Sequence, residues 1–462
     1  MLRYAPALLA LVAFPALAQP LTPAEQSKID AIVTQALAAD EVPSAEIAVV
    51  RDGKIVLNKA YGRANDRMLA RTDLPYQIAS NSKQFTAMAL LMLEDEGKLS
   101  LDDPVSKYLP GITEGDKIKI RQLLSHTSGL QDFWPQDYSF EAMSRPTTPQ
   151  GIVDRWAKKP LDFQPGDQWQ YSNTGYVVAG MIVEKVSGQP LMTYLERKIF
   201  KPLGMTSVKN QDDTYTPAYP SGYGRYALGP VRAVTPPARG WLYAAGELAM
   251  TAEDLAKWDI ARINRSLVPA DDWQAQETPV KLNDGKDTGY GLGVSVKAGP
   301  PRAITHTGEA VGFLSANYVY PDQKSAVVVL TNSWSGGAYS KIAREIAKVI
   351  LPPPPQDAVQ VAQEKRARAV YDELRRGQLD RSQLTQNANY YFTPQAIADY
   401  ASSLSPLGEP MSFEPDGKPV LRGGFVIQGY TIKYPSKTLD LSTFYEPGAS
   451  GRIEQFLVTP GE

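Results

Sequence analysis

Apolar residues recur with helical spacing in four segments before residue 352. The clearest pattern follows Ser80, where Phe85, Met88 and Leu91 share one face of a helix that Gly97 ends. The predicted helices are 23–39, capped by Thr22, then 80–97, 174–187 and 340–351. Their lengths are typical of helices that pack one face against a core.

Strand patterns lie on both sides of these helices. Residues 45–51 and 54–60 flank Asp52-Gly53, which predicts a β-hairpin with a two-residue turn. Late in the chain, segments 303–308, 312–320 and 325–331 have the apolar runs of buried strands. Strands at both ends with helices between them predict one sheet built from distant segments, an inserted helical subdomain, and a cleft where the two meet.

A run of four prolines separates a second region from the first. We interpret residues 352–355 as a stiff linker between residues 19–351 and a C-terminal domain, 356–462. Beyond the linker, helices are predicted at 359–376, 381–387 and 394–403, followed by alternating strands with a turn at Asp416-Gly417. This α+β order is weakly similar to NTF2-like accessory domains, and no function follows from that similarity.

The first 18 residues have the form of an export signal. Arg3 precedes an apolar run, 4–14, and an A-x-A pattern at 16–18, so we expect cleavage before Gln19 and a periplasmic or secreted protein. The alternative is an apolar N-terminal anchor that is retained. No later stretch is apolar and long enough to predict a membrane span.

Composition excludes several functional classes. The 462 residues contain two histidines and no cysteine, which rules out zinc sites of the H-E-x-x-H and Cys-His kinds. A formal net charge of −2 gives no electrostatic reason to expect binding to nucleic acid or to an anionic membrane. We therefore expect no metal and no cofactor, and leave the oligomeric state open.

Three short motifs carry the candidate chemistry. Ser80 and Lys83 form the only S-x-x-K of the chain, and Tyr171 and Asn173 form its only Y-x-N. A third motif, His-Thr-Gly, begins at His306 on a predicted strand. The order and wide separation of the three motifs form a more specific signal than any one of them.

With these motifs the chain resembles the serine β-lactamase and penicillin-binding protein superfamily. Segments 123–130, 244–248, 251–255 and 290–293 also resemble its class C-like branch of carboxypeptidases, aminopeptidases, esterases and β-lactamases. The resemblance covers about residues 25–351. It implies an α/β fold of the β-lactamase type, in which an antiparallel sheet is flanked by helices and carries an inserted all-helical subdomain.

The resemblance also implies roles for the motif residues. Ser80 is the expected nucleophile, and Lys83, one helical turn away, could accept its proton once burial lowers the lysine pKa. Alternatively, a charged Lys83 stabilises a phenolate at Tyr171, so we assign the base to the pair. Asn173 is expected to bind a substrate carbonyl and help position Lys83, and the backbone N–H groups of Ser80 and Glu309 to form the oxyanion hole.

His306 stands where penicillinase-type members carry a lysine. A histidine is largely neutral at neutral pH, so we expect a weaker carboxylate anchor and a proton-network partner of Tyr171. Thr307 and Gly308 are expected to complete the substrate-binding strand with Glu309. The other histidine, His126, is interpreted as structural, because no G-x-S-x-G elbow supports a Ser-His-Asp triad.

These observations predict an exported serine hydrolase with a covalent acyl-enzyme. We favour peptides that contain a D-amino acid, cleaved by a D,D-carboxypeptidase or D-aminopeptidase type of activity. An esterase for small or medium acyl esters and a β-lactamase remain alternatives. So do an inactive sensor of cell-wall fragments and a protein whose functional centre is the C-terminal module.

Overall fold

The computed structural model describes residues 19–135, 139–352 and 357–461. They form two compact units, one that ends at Pro352 and one made of the residues after it. The predicted signal peptide, 1–18, lies outside the described residues, as do positions 353–355 of the predicted linker.

The strands of the described residues all pair antiparallel within their sheets. In chain order they are β1 (Ser44–Arg51), β2 (Lys54–Asn65), β3 (Met68–Leu69), β4 (Tyr76–Gln77), β5 (Lys209–Asn210), β6 (Tyr223–Gly224), β7 (Arg232–Ala233), β8 (Leu248–Met250), β9 (Ser295–Lys297), β10 (Ala303–Ala310), β11 (Phe313–Tyr320), β12 (Ser325–Thr331), β13 (Ser412–Arg422), β14 (Phe425–Lys433), β15 (Thr438–Tyr445) and β16 (Ile453–Pro460). The main sheet has the order β3-β2-β1-β12-β11-β10-β9, so strands from both ends of the first unit meet at its centre.

In the first unit, helices cover this sheet and fill the segment between β2 and β9, whereas the helices after Pro352 belong to the second unit. They are α1 (Pro23–Asp40), α2 (Lys83–Asp95), α3 (Ile120–Leu124), α4 (Pro149–Ile152), α5 (Asn173–Ser187), α6 (Leu191–Leu195), α7 (Tyr243–Gly246), α8 (Ala252–Asn264), α9 (Ala270–Gln276), α10 (Ala338–Ile350), α11 (Ala358–Arg375), α12 (Gln386–Tyr391) and α13 (Pro394–Leu404). Within the inserted segment, short strands form two further small sheets, β4-β8-β5 and β6-β7. The predicted antiparallel sheet with flanking helices is confirmed, and the insertion also contains short strands and long loops, so it is not entirely helical.

Local sequence explains where the first elements begin and turn. Thr22 caps α1, and its hydroxyl accepts the backbone N–H of Glu25 while the Glu25 carboxylate accepts that of Thr22. In the hairpin of β1 and β2, Asp52 and Gly53 both have positive φ, as its two-residue turn requires. Both predictions are confirmed.

Both faces of the central strands are buried. On β1, Ile47 and Val49 pack toward α1 and α10, whereas Ala48 and Val50 pack toward the core that contains α2 and α5. The sheet is therefore the middle layer of the unit, which explains why β12 is apolar at nearly every position. No helix of the described chain has the length and apolarity needed to cross a bilayer.

The second unit is a four-stranded sheet, β13-β14-β15-β16, with helices α11 to α13. Its core contains Tyr371 of α11 and Phe413, Tyr430 and Tyr445 of the sheet. The predicted turn at Asp416-Gly417 is wrong, because both residues lie inside β13, where the pairing with β14 shifts register. The chain reverses instead at residues 423–424, two glycines with positive φ that allow the tight turn.

Candidate active site

Ser80 lies on a one-turn 3-10 helix, Ala79–Ser82, that leads directly into α2. The preceding Ala79 has φ of 49°, a left-handed conformation that an alanine adopts only when its surroundings impose it. Those surroundings include Ser315 of β11, whose hydroxyl donates to the Ile78 carbonyl at 2.8 Å and accepts from the Asn81 amide at 2.9 Å. The main sheet therefore holds the turn that presents Ser80.

The amine of Lys83 lies beside the Ser80 hydroxyl. Its Nζ is 3.0 Å from Ser80 Oγ, 2.8 Å from Asn173 Oδ1 and 2.7 Å from the Ala245 carbonyl oxygen. Burial lowers the pKa of the Lys83 amine to about 7, with Asp132 acting in the opposite direction. Ser80, Lys83 and Asn173, from two separate sequence motifs, therefore share one hydrogen-bonded cluster.

Tyr171 borders the same cluster. The Lys83 amine lies 4.9 Å from the centre of the Tyr171 ring, and the phenol hydrogen-bonds with Ser80. Burial raises the pKa of the Tyr171 phenol well above its ordinary value, although the hydrogen bond with Ser80 opposes that shift. The phenol is therefore protonated at neutral pH.

The ring of His126 packs against the ring of Tyr171. The two ring centres are 4.1 Å apart, and His126 Nδ1 accepts the backbone N–H of Ser172, the residue after Tyr171. Burial lowers the pKa of His126 well below its ordinary value, so the imidazole is neutral. His126 thus contacts the Y-x-N motif.

Asp132 orients Asn173. Its Oδ1 accepts the backbone N–H of Asn173 at 3.0 Å, and its Oδ2 accepts the side-chain amide of Asn173 at 3.2 Å. Because the amide nitrogen faces Asp132, the amide oxygen faces Lys83. The sequence did not predict this role, since no local pattern links positions 41 residues apart in the chain.

Strand β10 forms the opposite wall of the site. A Cβ atom on Gly308 would lie 2.1 Å from the Ile78 carbonyl oxygen and 2.4 Å from Ser315 Oγ, so only glycine allows β10 to approach the turn of Ser80 this closely. Side chains alternate along the strand, and the neighbouring Thr307 and Glu309 are both exposed. The glycine of the His-Thr-Gly motif is therefore a packing residue that does not line the cleft.

The structure gives His306 a different partner from the one expected. His306 Nε2 lies 2.8 Å from the hydroxyl of Tyr290, whereas the ring centres of His306 and Tyr171 are 6.4 Å apart. Burial lowers the pKa of His306 to about 3, so the ring is neutral. Tyr290 belongs to a motif that the resemblance had marked, but its contact with His306 was not predicted.

The site opens into a cleft of about 700 Å³. Eight of its lining residues are Ser80, Asp132, Trp134, Tyr171, Asn173, His306, Thr307 and Glu309. Seven of the eight sequence-predicted residues thus line this cleft or contact Ser80 directly, and Gly308 supports them from behind. Among the described residues no group of histidine and carboxylate side chains could hold a metal ion.

Comparisons with known proteins match the first unit to a known family. A model of the family described as Beta-lactamase matches residues 29–351. A penicillin-binding protein of Bacillus subtilis (strain 168) is 27% identical over 343 residues, which are 70% of this chain and 76% of that protein.

Solved structures of two amide-cleaving enzymes are also similar. A D-stereospecific amidohydrolase from Streptomyces sp. is 28% identical with a TM-score of 0.60, covering 71% of this chain and 99% of that one. A D-amino acid amidase from Ochrobactrum anthropi SV3, complexed with L-phenylalanine amide, is 26% identical with a TM-score of 0.61, covering 71% of this chain and 97% of that one.

Proposed function

This chain belongs to the β-lactamase family of serine hydrolases, and on that premise we propose that it cleaves amide bonds of D-amino-acid-containing substrates through an acyl-enzyme on Ser80. The observation that carries the proposal is the environment of the Lys83 amine. A neutral amine has two hydrogens and one lone pair. Asn173 and Ala245 supply two carbonyl oxygens for the hydrogens, which leaves the lone pair for the Ser80 hydroxyl hydrogen.

Lys83, rather than Tyr171, is the base in this proposal. With a pKa lowered to about 7, a substantial fraction of Lys83 is neutral at neutral pH. The pKa of Tyr171 is shifted upward, which disfavours a phenolate. Tyr171 instead remains a phenol that can donate a proton or a hydrogen bond near the leaving group.

The reaction follows from these roles. Ser80 Oγ bonds to the carbonyl carbon while its proton moves to Lys83 Nζ, and the backbone N–H groups of Ser80 and Glu309 stabilise the oxyanion. The C–N bond then breaks, and the leaving amine takes a proton from Lys83 directly or through Tyr171. Water next attacks the acyl carbon with Lys83 as base, the acid leaves, and Ser80 recovers its hydrogen.

The pH dependence of catalysis tests the identity of the base. For an uncharged substrate, kcat/KM should rise about tenfold per pH unit below pH 7 and level off above it, because only neutral Lys83 accepts a proton. The two histidines do not produce this limb, because the pKa of each is lowered, that of His306 to about 3. A stopped assay from pH 5 to 10 measures the profile.

Glu247→Gln is the matched control for that profile. Burial raises the pKa of Glu247 to about 8, two residues from the Ala245 carbonyl, so its titration is a competing explanation for the limb. The variant should show the same rise of kcat/KM below pH 7 as the wild type. A profile that is flat below pH 7, or that rises only above pH 9, contradicts Lys83 as the base.

Stereoselectivity tests the substrate class. Both solved relatives carry a D-stereospecific or D-amino acid designation, which supports the same preference here. We expect kcat/KM for D-alanine p-nitroanilide to exceed that for the L-enantiomer by about 100-fold, since a methyl group on the wrong face of a shaped cleft misplaces the carbonyl. A p-nitrophenyl ester and a chromogenic cephalosporin complete the panel. Preference for the L-enantiomer, or turnover of the ester alone, contradicts the proposal.

Export is the remaining part of the proposal. It rests on the charge, apolar run and A-x-A pattern of residues 1–18.

A further inference from the structure

Among the described residues that line the cleft, the charged side chains are all carboxylates. Asp132, Asp162 and Glu309 line it, and the described lining residues include no lysine or arginine. Lys83 lies beneath Ser80, fully buried and committed to its three oxygen neighbours. An anionic substrate group entering the cleft therefore meets three carboxylates and finds no exposed cation among these residues.

His306 adds no positive charge to the cleft. Its ring is buried, and its two nitrogens lie against the Tyr290 hydroxyl and the Thr307 carbonyl oxygen, at 2.8 and 2.5 Å. Burial lowers the pKa of His306, which keeps it neutral where a lysine would be positive. The strand position that would otherwise attract a carboxylate has no charge here.

Two of the carboxylates are fixed in place by hydrogen bonds. The Oε1 atom of Glu309 accepts the indole N–H of Trp334, and this contact holds the Glu309 side chain where it lines the cleft. Asp132 is linked to the catalytic amine through one residue, because Asn173 contacts both Asp132 and Lys83, at 3.2 and 2.8 Å.

Asp132 has acceptor capacity left for a ligand. Its Oδ1 accepts two backbone N–H groups, those of Trp134 and Asn173, and its Oδ2 accepts the Asn173 amide. A carboxylate offers about four acceptor positions. The remaining one belongs to Oδ2, and Asp132 lines the same cleft as Ser80.

Resting on the proposed function, we propose that the cleft selects substrates with a free ammonium group on the acyl residue, and that Asp132 is its main specificity determinant. The substrate class is then an N-terminal D-amino acid amide or peptide, with the amine against Asp132 and the carbonyl at Ser80. Substrates recognised through a carboxylate, such as C-terminal D-Ala-D-Ala peptides and β-lactams, are disfavoured.

Three p-nitroanilides of D-phenylalanine test this on the mature chain, because they share one scissile bond and differ in charge. The free amine is cationic, the N-acetyl compound neutral and the N-succinyl compound anionic. We expect kcat/KM at pH 7 to fall by about tenfold at each step in that order, since complementary charge steers and orients the substrate. Added NaCl should reduce both differences in kcat/KM, because salt screens the interaction between substrate and cleft charges. Equal rates, or the anion as the best substrate, would overturn the proposal.

Variants identify the carboxylate responsible. In Asp132→Asn the ratio of kcat/KM for the cationic to the neutral compound should fall about tenfold, whereas in the matched Asp162→Asn, an exposed carboxylate of the same cleft, it should fall less. Because the ratio compares two substrates on the same variant, it separates recognition of the amine from any general loss of activity caused by a displaced Asn173. An unchanged ratio in Asp132→Asn rejects Asp132 as the determinant.

A labelling assay gives the same ranking without turnover and separates the two proposals. The three compounds compete with a fluorophosphonate probe for Ser80, and the cationic one should protect at the lowest concentration. Failure of wild type to label more than Ser80→Ala contradicts the acyl-enzyme proposal. Labelling without any charge ranking contradicts only the inference about the amine.

Discussion

Replacing Ser80 with alanine should lower kcat for any substrate of this protein by a factor of about 10⁴ or more. The substitution removes the oxygen that forms the acyl bond and leaves Lys83 with no hydroxyl at 3.0 Å to deprotonate. The residual rate should match hydrolysis helped by binding alone. Turnover of purified wild type and variant in parallel measures the effect, and mass spectrometry after a fluorophosphonate should find the adduct on Ser80.

Ser82→Ala is the control within the same turn. It also deletes a hydroxyl, one that accepts the Leu248 backbone N–H at 3.1 Å, but it leaves the Ser80 and Lys83 side chains intact. It should keep a labelled Ser80 and measurable turnover. Equal labelling of wild type and Ser80→Ala, or equal turnover, would refute the covalent mechanism. A wild type that neither labels nor turns over would favour the sensor alternative.

The second large effect is expected at Gly308, which contributes no functional group. In Gly308→Ala the new methyl would lie 2.1 Å from the Ile78 carbonyl oxygen, so β10 must move away from the turn of Ser80. Overpacking of this kind costs about 3 kcal/mol in free energy of unfolding. Because Glu309 and its backbone N–H move with the strand, kcat should also fall by about 100-fold or more. Urea unfolding and steady-state kinetics measure the two effects.

Gly337→Ala provides the matched comparison. A Cβ atom there has no neighbour within 4 Å, and its φ of −107° is open to any residue. The free energy of unfolding should fall by no more than about 1 kcal/mol, because alanine is a poorer N-cap than glycine, and kcat should stay close to wild type. If Gly308→Ala behaves like this control, the close approach of β10 to Ile78 is not needed for the site.

Local sequence patterns were sufficient for the long strands of the main sheet and for helices α1, α2, α5 and α10. Helix α5 begins after the cap Ser172 and ends at Gly188 in a left-handed conformation, because short-range hydrogen bonds and glycine geometry act within a few residues. The same holds for the i, i+3 spacing that brings Lys83 to Ser80. The turn at Asp416-Gly417 was predicted wrongly because pairing with a long neighbouring strand overrode a local turn preference.

Contacts between distant segments could not be predicted from the sequence and are determined by the tertiary structure. The sequence alone determined which side chains were available for chemistry, because these depend on residue type and short spacing. They are a serine and a lysine one turn apart, a Y-x-N motif, and a histidine in place of a lysine. Only the tertiary structure decided that Asp132 orients Asn173, that His306 pairs with Tyr290, and that Glu309 adds its charge to the cleft. Those contacts depend on how the sheet and the inserted helices pack, and burial, which follows from that packing, sets the protonation states that the chemistry needs.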